Sequence, residues 1–437
     1  MKKSLLLLLA VATIFSACNQ DDEPTVQPVD LTIQVLVDES LGGEPMRGTE
    51  VTLTNVTSTQ NYSATTDADG TVQFEALPSG TYDVVAVRSF TDEEFSEYFG
   101  YSSEEAEVVF NASSPSLAVN AQTSSPVMLT LASGKIGDLL IKQVYFAGSD
   151  VREGALYRDQ FIEIYNNSNT TIYADGLYVM GAYGKNNTKE SDYDQDNGQY
   201  DWNQSIGMAA TGDPNNDYFY TRWLYQVPGN GEDYPLEPGE SIVIAQSAQN
   251  HKSPFTDSDG ETIAVQDPSL TVDLSGADFE VYVGDQVDKP LPSDIDNPNV
   301  ENMIPHYIFG KDFLLDSPGR DSYLIFRMDE DVTTLPSYPD PTDREIDEET
   351  NLRIQVPKEY VIDGVEIQRA PTNLIPKKLT TDVDASYTYV PGGSYSSQSV
   401  IRKTASIVNE RIVLKDTNNS SEDFTFLERA APKAFAN

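Results

Sequence analysis

Apolar residues recur along this chain at every second position, and the runs that carry them are short. Leu31, Ile33, Val35 and Val37 alternate with polar neighbours, as the two faces of a half-buried strand require. Val51 and Leu53 continue the pattern. Leu117 with Val119, and Val127 with Leu129 and Leu131, repeat it on either side of Ser124-Ser125-Pro126. Gly, Pro, Asn and Asp cut these runs to strand lengths, and after residue 17 no segment keeps a 3.6-residue apolar period. The pattern predicts an all-β protein.

Two domains follow from where the pattern breaks. Ser133-Gly134 marks the boundary between a first domain over residues 29–133 and a second over 134–437. Within the first, Asp69-Gly70 supplies a hairpin turn, Val72 and Phe74 share a face, and Pro78-Ser79-Gly80 turns the chain into a strand bearing Tyr82 and Val84. This Asp-Gly turn, strand and Leu77-Pro78-Ser79-Gly80-Thr81-Tyr82 sequence resembles the carboxypeptidase-regulatory-like domain. The resemblance implies a seven-stranded, immunoglobulin-like sandwich that serves as a spacer or docking module without catalytic residues. Asp67-Ala68-Asp69-Gly70 lacks the further carboxylates of a calcium loop and is expected to be a turn.

The second domain opens with the strand Gly137 to Phe146. Next comes Gln160-Phe161-Ile162-Glu163-Ile164-Tyr165, which enters Asn166-Asn167-Ser168-Asn169. This run is similar to the start of a lamin-tail-like domain, and Leu236 to Ala245, Tyr360 to Ile367 and Ser399 to Lys403 supply later strands. The resemblance implies a larger β-sandwich with long loop insertions. Gly184 to Pro235 is expected to be one of them.

The N-terminus carries an address. A basic start, Met1-Lys2-Lys3, leads into an apolar run from Leu5 to Phe15, too short to span a bilayer as a helix, and then Ser16-Ala17-Cys18. Residues 1–17 read as a lipoprotein signal peptide, and the ending resembles a lipobox with Phe15 in place of the usual aliphatic residue. Cys18, the one cysteine among 437 residues, is the expected lipidation site and first residue of the mature chain. Several acyl chains at about 0.8 kcal/mol per buried methylene make a lasting anchor. Residues 18–28 form an acidic tether in which Asp21, Asp22 and Glu23 resemble the export signal of Bacteroidota surface lipoproteins. Together with both domains and the run Leu414 to Phe424, these features resemble a Bacteroidota family of surface lipoproteins of unknown function. That resemblance implies an outer-membrane location facing the cell exterior, near barrels dependent on TonB.

Charge narrows the partners. A net charge of -42, falling to -44 once Lys2 and Lys3 are cleaved away, opposes nucleic acid and anionic lipid. With 39% hydrophobic residues the chain still has enough to bury large cores. No thiol pair remains for a disulfide. Catalytic patterns are missing: His251 and His306 stand apart without zinc-type partners, and neither a Gly-x-Ser-x-Gly elbow nor a phosphate-binding loop occurs. A paired-carboxylate glycosidase is the residual enzymatic option, and a non-enzymatic protein is expected.

Binding chemistry is expected in the stretch Gly184 to Pro235, which holds Trp202, Trp223, Tyr200, Tyr220 and Tyr225. Aromatic faces beside carboxylates suit sugar rings or planar ligands, and the competing reading is that these rings form the core of a long loop. In the same stretch Asp192, Asp194 and Asp196 alternate and Asp201 follows, close to the spacing of a calcium loop. Glycine comes one place late and Asn203 stands where a bidentate Glu belongs, so calcium is the single candidate cofactor. Two functions are carried forward. One is an accessory or ligand-capturing partner of an uptake barrel, and the other is a glycan- or matrix-binding adhesin.

Overall fold

The computed structural model describes residues 28–37, 43–99, 107–123, 125–134, 139–168, 170–369, 371–408 and 411–436. The signal segment 1–17, Cys18 and the acidic tether up to residue 27 lie outside the described residues. Strands dominate, and the expected all-β class holds.

The first domain is a sandwich of seven strands among the described residues, from Val29–Val37 to Val127–Gly134. Leu31, Ile33, Val35 and Val37 all face its core with Val51, Leu53, Val72, Phe74, Tyr82 and Val84. Asp67 accepts the backbone N–H groups of Asp69 and Thr71, which makes 67–70 a turn. Gly70 sits at φ +68°, and a Cβ there would stand 2.6 Å from the Val35 carbonyl oxygen, so this corner requires glycine. The Tyr82 hydroxyl donates to the Pro78 carbonyl at 2.7 Å and ties the second turn to its strand. Strand pairing continues through Ser133 and Gly134, one residue past the expected boundary.

Short helices depart from the strand-only expectation, and among the described residues the longest lies in the first domain. Asp92–Phe99 is a helix, opened by a capping box in which Glu94 N–H donates to Thr91 Oγ1 and Thr91 N–H donates to the Glu94 carboxylate. Phe95 packs edge-on against Phe90, and Tyr98 and Phe99 join the same ring cluster.

The second domain is built on two seven-stranded sheets. One orders the strands Glu301–Asn302, Phe279–Glu280, Ser241–Ala245, Phe161–Asn166, Leu139–Tyr145, Ser399–Arg402 and Phe424–Leu427. The other orders Ser337–Pro339, Leu352–Pro357, Tyr218–Gln226, Tyr178–Ala182, Ser322–Phe326 and Val361–Glu366, with Ile304–Tyr307 on a second stretch of Tyr218–Gln226. Ile141, Ile162, Ile164, Ile244 and Val400 of the first sheet meet Val179, Trp223, Tyr225, Ile325 and Val365 of the second.

The central strands are buried on both faces, because long loops coat the outer sides of the sheets. Met180, Leu224 and Leu324 pack outward against Val332 and Leu379, while Tyr145, Phe161 and Val243 pack outward against Val272 and Leu274. The stretch Gly184 to Pro235 is therefore only partly an insertion. Its Tyr218–Gln226 is an interior strand, as its aromatic and β-branched sequence favours.

Between the sheets lies a charged group. Arg402, on one sheet, contacts both oxygens of Asp363, on the other, at 2.7 and 2.9 Å. It also reaches Asp416 at 3.0 Å and Asp423 at 3.4 Å, and donates to the Ile141 carbonyl. All four side chains are buried. Asp363 also accepts the Ile141 N–H, so the carboxylate is held by both sheets. Arg402→Ala leaves three buried carboxylates without their cation and is expected to cost about 3–5 kcal/mol. Urea unfolding followed by far-UV circular dichroism checks it, as a lower midpoint for the second domain.

Candidate functional site

The aromatic residues singled out by sequence are brought together in pairs, but inside the protein. Trp202 lies flat on Tyr220, with ring centroids 3.4 Å apart and planes 8° from parallel. With Tyr338 they form a small separate core, flanked by Tyr183 and Met208. Trp223 belongs to the main core, edge-on to Phe313 at 4.9 Å, and Tyr225 meets the same ring at 5.3 Å. A Cβ on Gly181 would stand 2.6 Å from the Trp223 ring, so the tryptophan has filled the space across its neighbouring strand. Tyr200 is half-buried and lies parallel to Tyr183. The expected aromatic platform is corrected: Trp202, Trp223, Tyr220 and Tyr225 are packing residues, because their area is worth more buried than exposed.

The four carboxylates behind the calcium expectation, Asp192, Asp194, Asp196 and Asp201, are not gathered into one group. Among the described residues no group of three or more His, Cys, Asp or Glu side chains could hold a metal ion. The reason is local. Asp194 is paired with the Lys185 ammonium and bonded by Ser191, so a cation already occupies its open side. Burial would push the Asp194 carboxyl up, yet those bonds outweigh it and hold it below the usual carboxylate range. Asp201 caps the short helix Trp202–Gln204 and accepts from Asn215, Asn203 and Gln204. Asp192 and Asp196 are exposed.

What the loop around these carboxylates builds is one wall of a cleft of about 810 Å³. The opposite wall is the segment Leu374 to Thr381, and Asn215, Asn216 and Gln368 contribute between them. Gln199 fixes the separation: its amide donates to the Pro376 carbonyl at 2.7 Å and to the Lys185 carbonyl at 3.2 Å, and its oxygen accepts the Lys185 N–H. Gly198, at φ +84°, lets the chain turn against Pro376. Tyr387 also lines the cleft, and its hydroxyl donates to Asp83 of the first sandwich at 3.0 Å. Sequence reasoning missed the 374–381 wall. The available signal was Pro376-Lys377-Lys378, a cationic pair in a chain with 28 basic and 70 acidic residues.

Neither histidine sits at a reactive arrangement. His251 is fully buried, burial pushes it down to about 4, and its Nε2 donates to the Ser247 carbonyl. His306 is half-buried against Tyr178 and lies beside the Gln226 amide oxygen. Instead, the interior collects carboxyls. Burial pushes Asp159, Glu280 and Asp294 up to about 7 and Asp312 up to about 6. Burial likewise raises Asp363 and Asp423 against the opposing pull of Arg402. Gln246 and Ser293 satisfy Asp312, and backbone N–H groups of Ala248 and Asn297 satisfy Glu280, a pattern that stabilises loops.

Among the described residues no helix is long and apolar enough to cross a membrane. Residues 32–124 match the carboxypeptidase regulatory-like domain, and residues 237–431 match a family described as protein of unknown function (DUF4876). Similar solved structures include a DUF4876 family protein from Bacteroides thetaiotaomicron VPI-5482. It is 23% identical, with 91% of this chain and 95% of that chain covered, at a TM-score of 0.49. Fervidolysin from Fervidobacterium pennivorans, a keratinolytic enzyme related to subtilisin, is 15% identical over 50% of this chain and 31% of its own, at a TM-score of 0.19. At these TM-scores neither likeness bears on activity. No curated protein matches the chain.

Two outcomes follow from this geometry. Trp202→Ala and Trp223→Ala should each lower unfolding stability by about 3–5 kcal/mol, as buried rings do, measured by urea titration. Asp159, Glu280, Asp294, Asp312, Asp363 and Asp423 bind protons more tightly folded than unfolded, so their contribution is full below the ordinary carboxylate range and is lost as pH rises through about 6 to 7. Thermal melting should therefore occur at a higher temperature at pH 5 than at pH 8, read by differential scanning calorimetry.

Proposed function

We propose that this chain, which carries a carboxypeptidase regulatory-like domain ahead of a DUF4876 domain, is a surface-exposed, outer-membrane lipoprotein. In this reading it works without catalysis, as an accessory or ligand-capturing partner of a TonB-dependent uptake barrel. The observation that carries it is Cys18, the one cysteine of the chain, which follows a short apolar run and Ser16-Ala17 and stands three positions before Asp21, Asp22 and Glu23.

The physical scheme is short. Acyl chains on Cys18 enter the bilayer and hold the protein there. The 11 residues from Cys18 to Pro28 reach at most about 36–40 Å when extended, which keeps the first sandwich close to the membrane surface. Their carboxylates are repelled by anionic headgroups and favour extension. The first sandwich then acts as a spacer, and the second presents its cleft. Support for binding over chemistry comes from the side chains themselves. The charged groups that sequence made suspicious are tied into packing, as with Lys185 and Asp194, or buried, as with His251. The adhesin alternative drew on the tyrosine-rich loops, and the burial of Tyr220 and Tyr225 with Trp202 and Trp223 favours the accessory reading over it.

Crosslinking of intact cells followed by affinity capture of the full chain is expected to recover a barrel protein of the outer membrane. Cys18→Ser should abolish that recovery and move the protein to the soluble fraction. Recovery of no barrel from the wild-type chain, under conditions that preserve a known outer-membrane complex, would count against the partnership.

A further inference from the structure

The cleft beside Gln199 does not end at Thr381. A second depression, of about 590 Å³, is lined by Asp217 and Tyr218, by Pro357 to Glu359, by Val361 to Asp363 and by Asp382 and Val383. The two are lined by neighbouring positions of the same two segments, Asn216 and Thr381 in the first and Asp217 and Asp382 in the second. Single ligand pockets span about 300–1,000 Å³. Two in file along one segment form a trough that suits a chain of units better than a single ring.

The chemistry of the trough selects among chains. Four lysines line it and each is already engaged: Lys185 with Asp194, Lys377 with the Asp384 carbonyl, Lys378 with the Arg320 carbonyl and Lys358 with Asp382. A polyanion would meet two ammonium groups already paired with carboxylates and two bonded to backbone carbonyls, and would face Glu190 and Asp196. Besides these two carboxylates the first depression presents neutral hydrogen-bonding groups, Thr188 and Thr381 together with Gln195 and Asn216, whose amide nitrogens are bonded to the Tyr200 carbonyl and to Asp213. Thr380 Oγ1 is buried beside it with no partner. Half-buried Leu374 and Pro376 give an apolar strip between these groups. Hydroxyls and amides around a narrow apolar strip match the alternating O–H and C–H faces of sugar units. The Gln199 bridge holds the walls in place before any ligand arrives, which lowers the ordering cost of binding.

We propose that this trough binds a linear, neutral oligosaccharide. The inference deepens the ligand-capturing reading and rests on it. The test is calorimetry of the full chain with soluble neutral hexasaccharides of glucose, mannose, xylose and galactose, run beside sulfated and uronic-acid oligosaccharides of equal length. At least one neutral chain is expected to bind, and the anionic ones are not. Asn216→Trp and Thr188→Trp, at exposed positions lining the cleft, should each weaken that binding at least tenfold while leaving the melting temperature unchanged. No binding by any neutral chain, a preference for anionic chains, or full affinity in both variants would overturn the proposal. Should a barrel still be recovered by crosslinking in that case, the accessory reading stands while the sugar assignment fails.

Discussion

The second domain depends on one guanidinium. Arg402 leaves a strand of one sheet, meets Asp363 on a strand of the other, and gathers Asp416 and Asp423 from the chain's last segment. Apolar packing between two sheets tolerates small slips, since one branched side chain replaces another at little cost. A planar fork with fixed donors does not, because each displaced N–H leaves a buried charge unpaired. The cluster has three carboxylates to one cation, so burial keeps Asp363 and Asp423 raised despite the arginine. It therefore specifies the arrangement of the sheets more than it adds to their stability.

The same economy runs through the rest of the domain. Lys142 and Glu163 pair beneath the terminal segment, where Phe435 lies 3.7 Å from the ammonium and Lys433 N–H donates to the Glu163 carboxylate. Asp175 accepts three backbone N–H groups from Gly231, Asp233 and Tyr234 and so fixes a loop end. Polar residues that look reactive in sequence are thus used to pin long loops onto both outer faces of the sheets. The trough, in contrast, is lined by exposed polar groups such as Thr188 and Asn216, and this division between inward ties and an outward polar groove is what favours binding over chemistry.

Sequence made the first sandwich legible because its strands are buried on one face, and a period of two survives in Leu31, Ile33, Val35 and Val37. The helix Asp92–Phe99 escaped because two turns hardly establish a period, although Thr91 and Glu94 already carried its capping signature. In the second domain strands such as Phe161–Asn166 were recognisable by composition, but their burial on both faces erases alternation and with it any sign of which sheet they join. Tyr218–Gln226 looked like a ligand loop because rings suited to binding are equally suited to a core. The Asp194 partner stood nine positions away and was within reach of inspection, whereas Gln199 and Pro376 are separated by 177. Contacts of that span are properties of the fold, and the trough they create has no linear trace.

The central proposal is that the chain is held by a lipid on Cys18 and displayed outside the cell, where a groove can meet a ligand. Protease shaving of intact cells, with immunoblotting for the second domain, tests it most directly. The account predicts that external protease removes the wild-type protein, while a variant with Asp21, Asp22 and Glu23 replaced by Ala stays membrane-bound and protected until the outer membrane is opened. Protection of the wild-type protein in intact cells, with digestion only after permeabilisation, would contradict it.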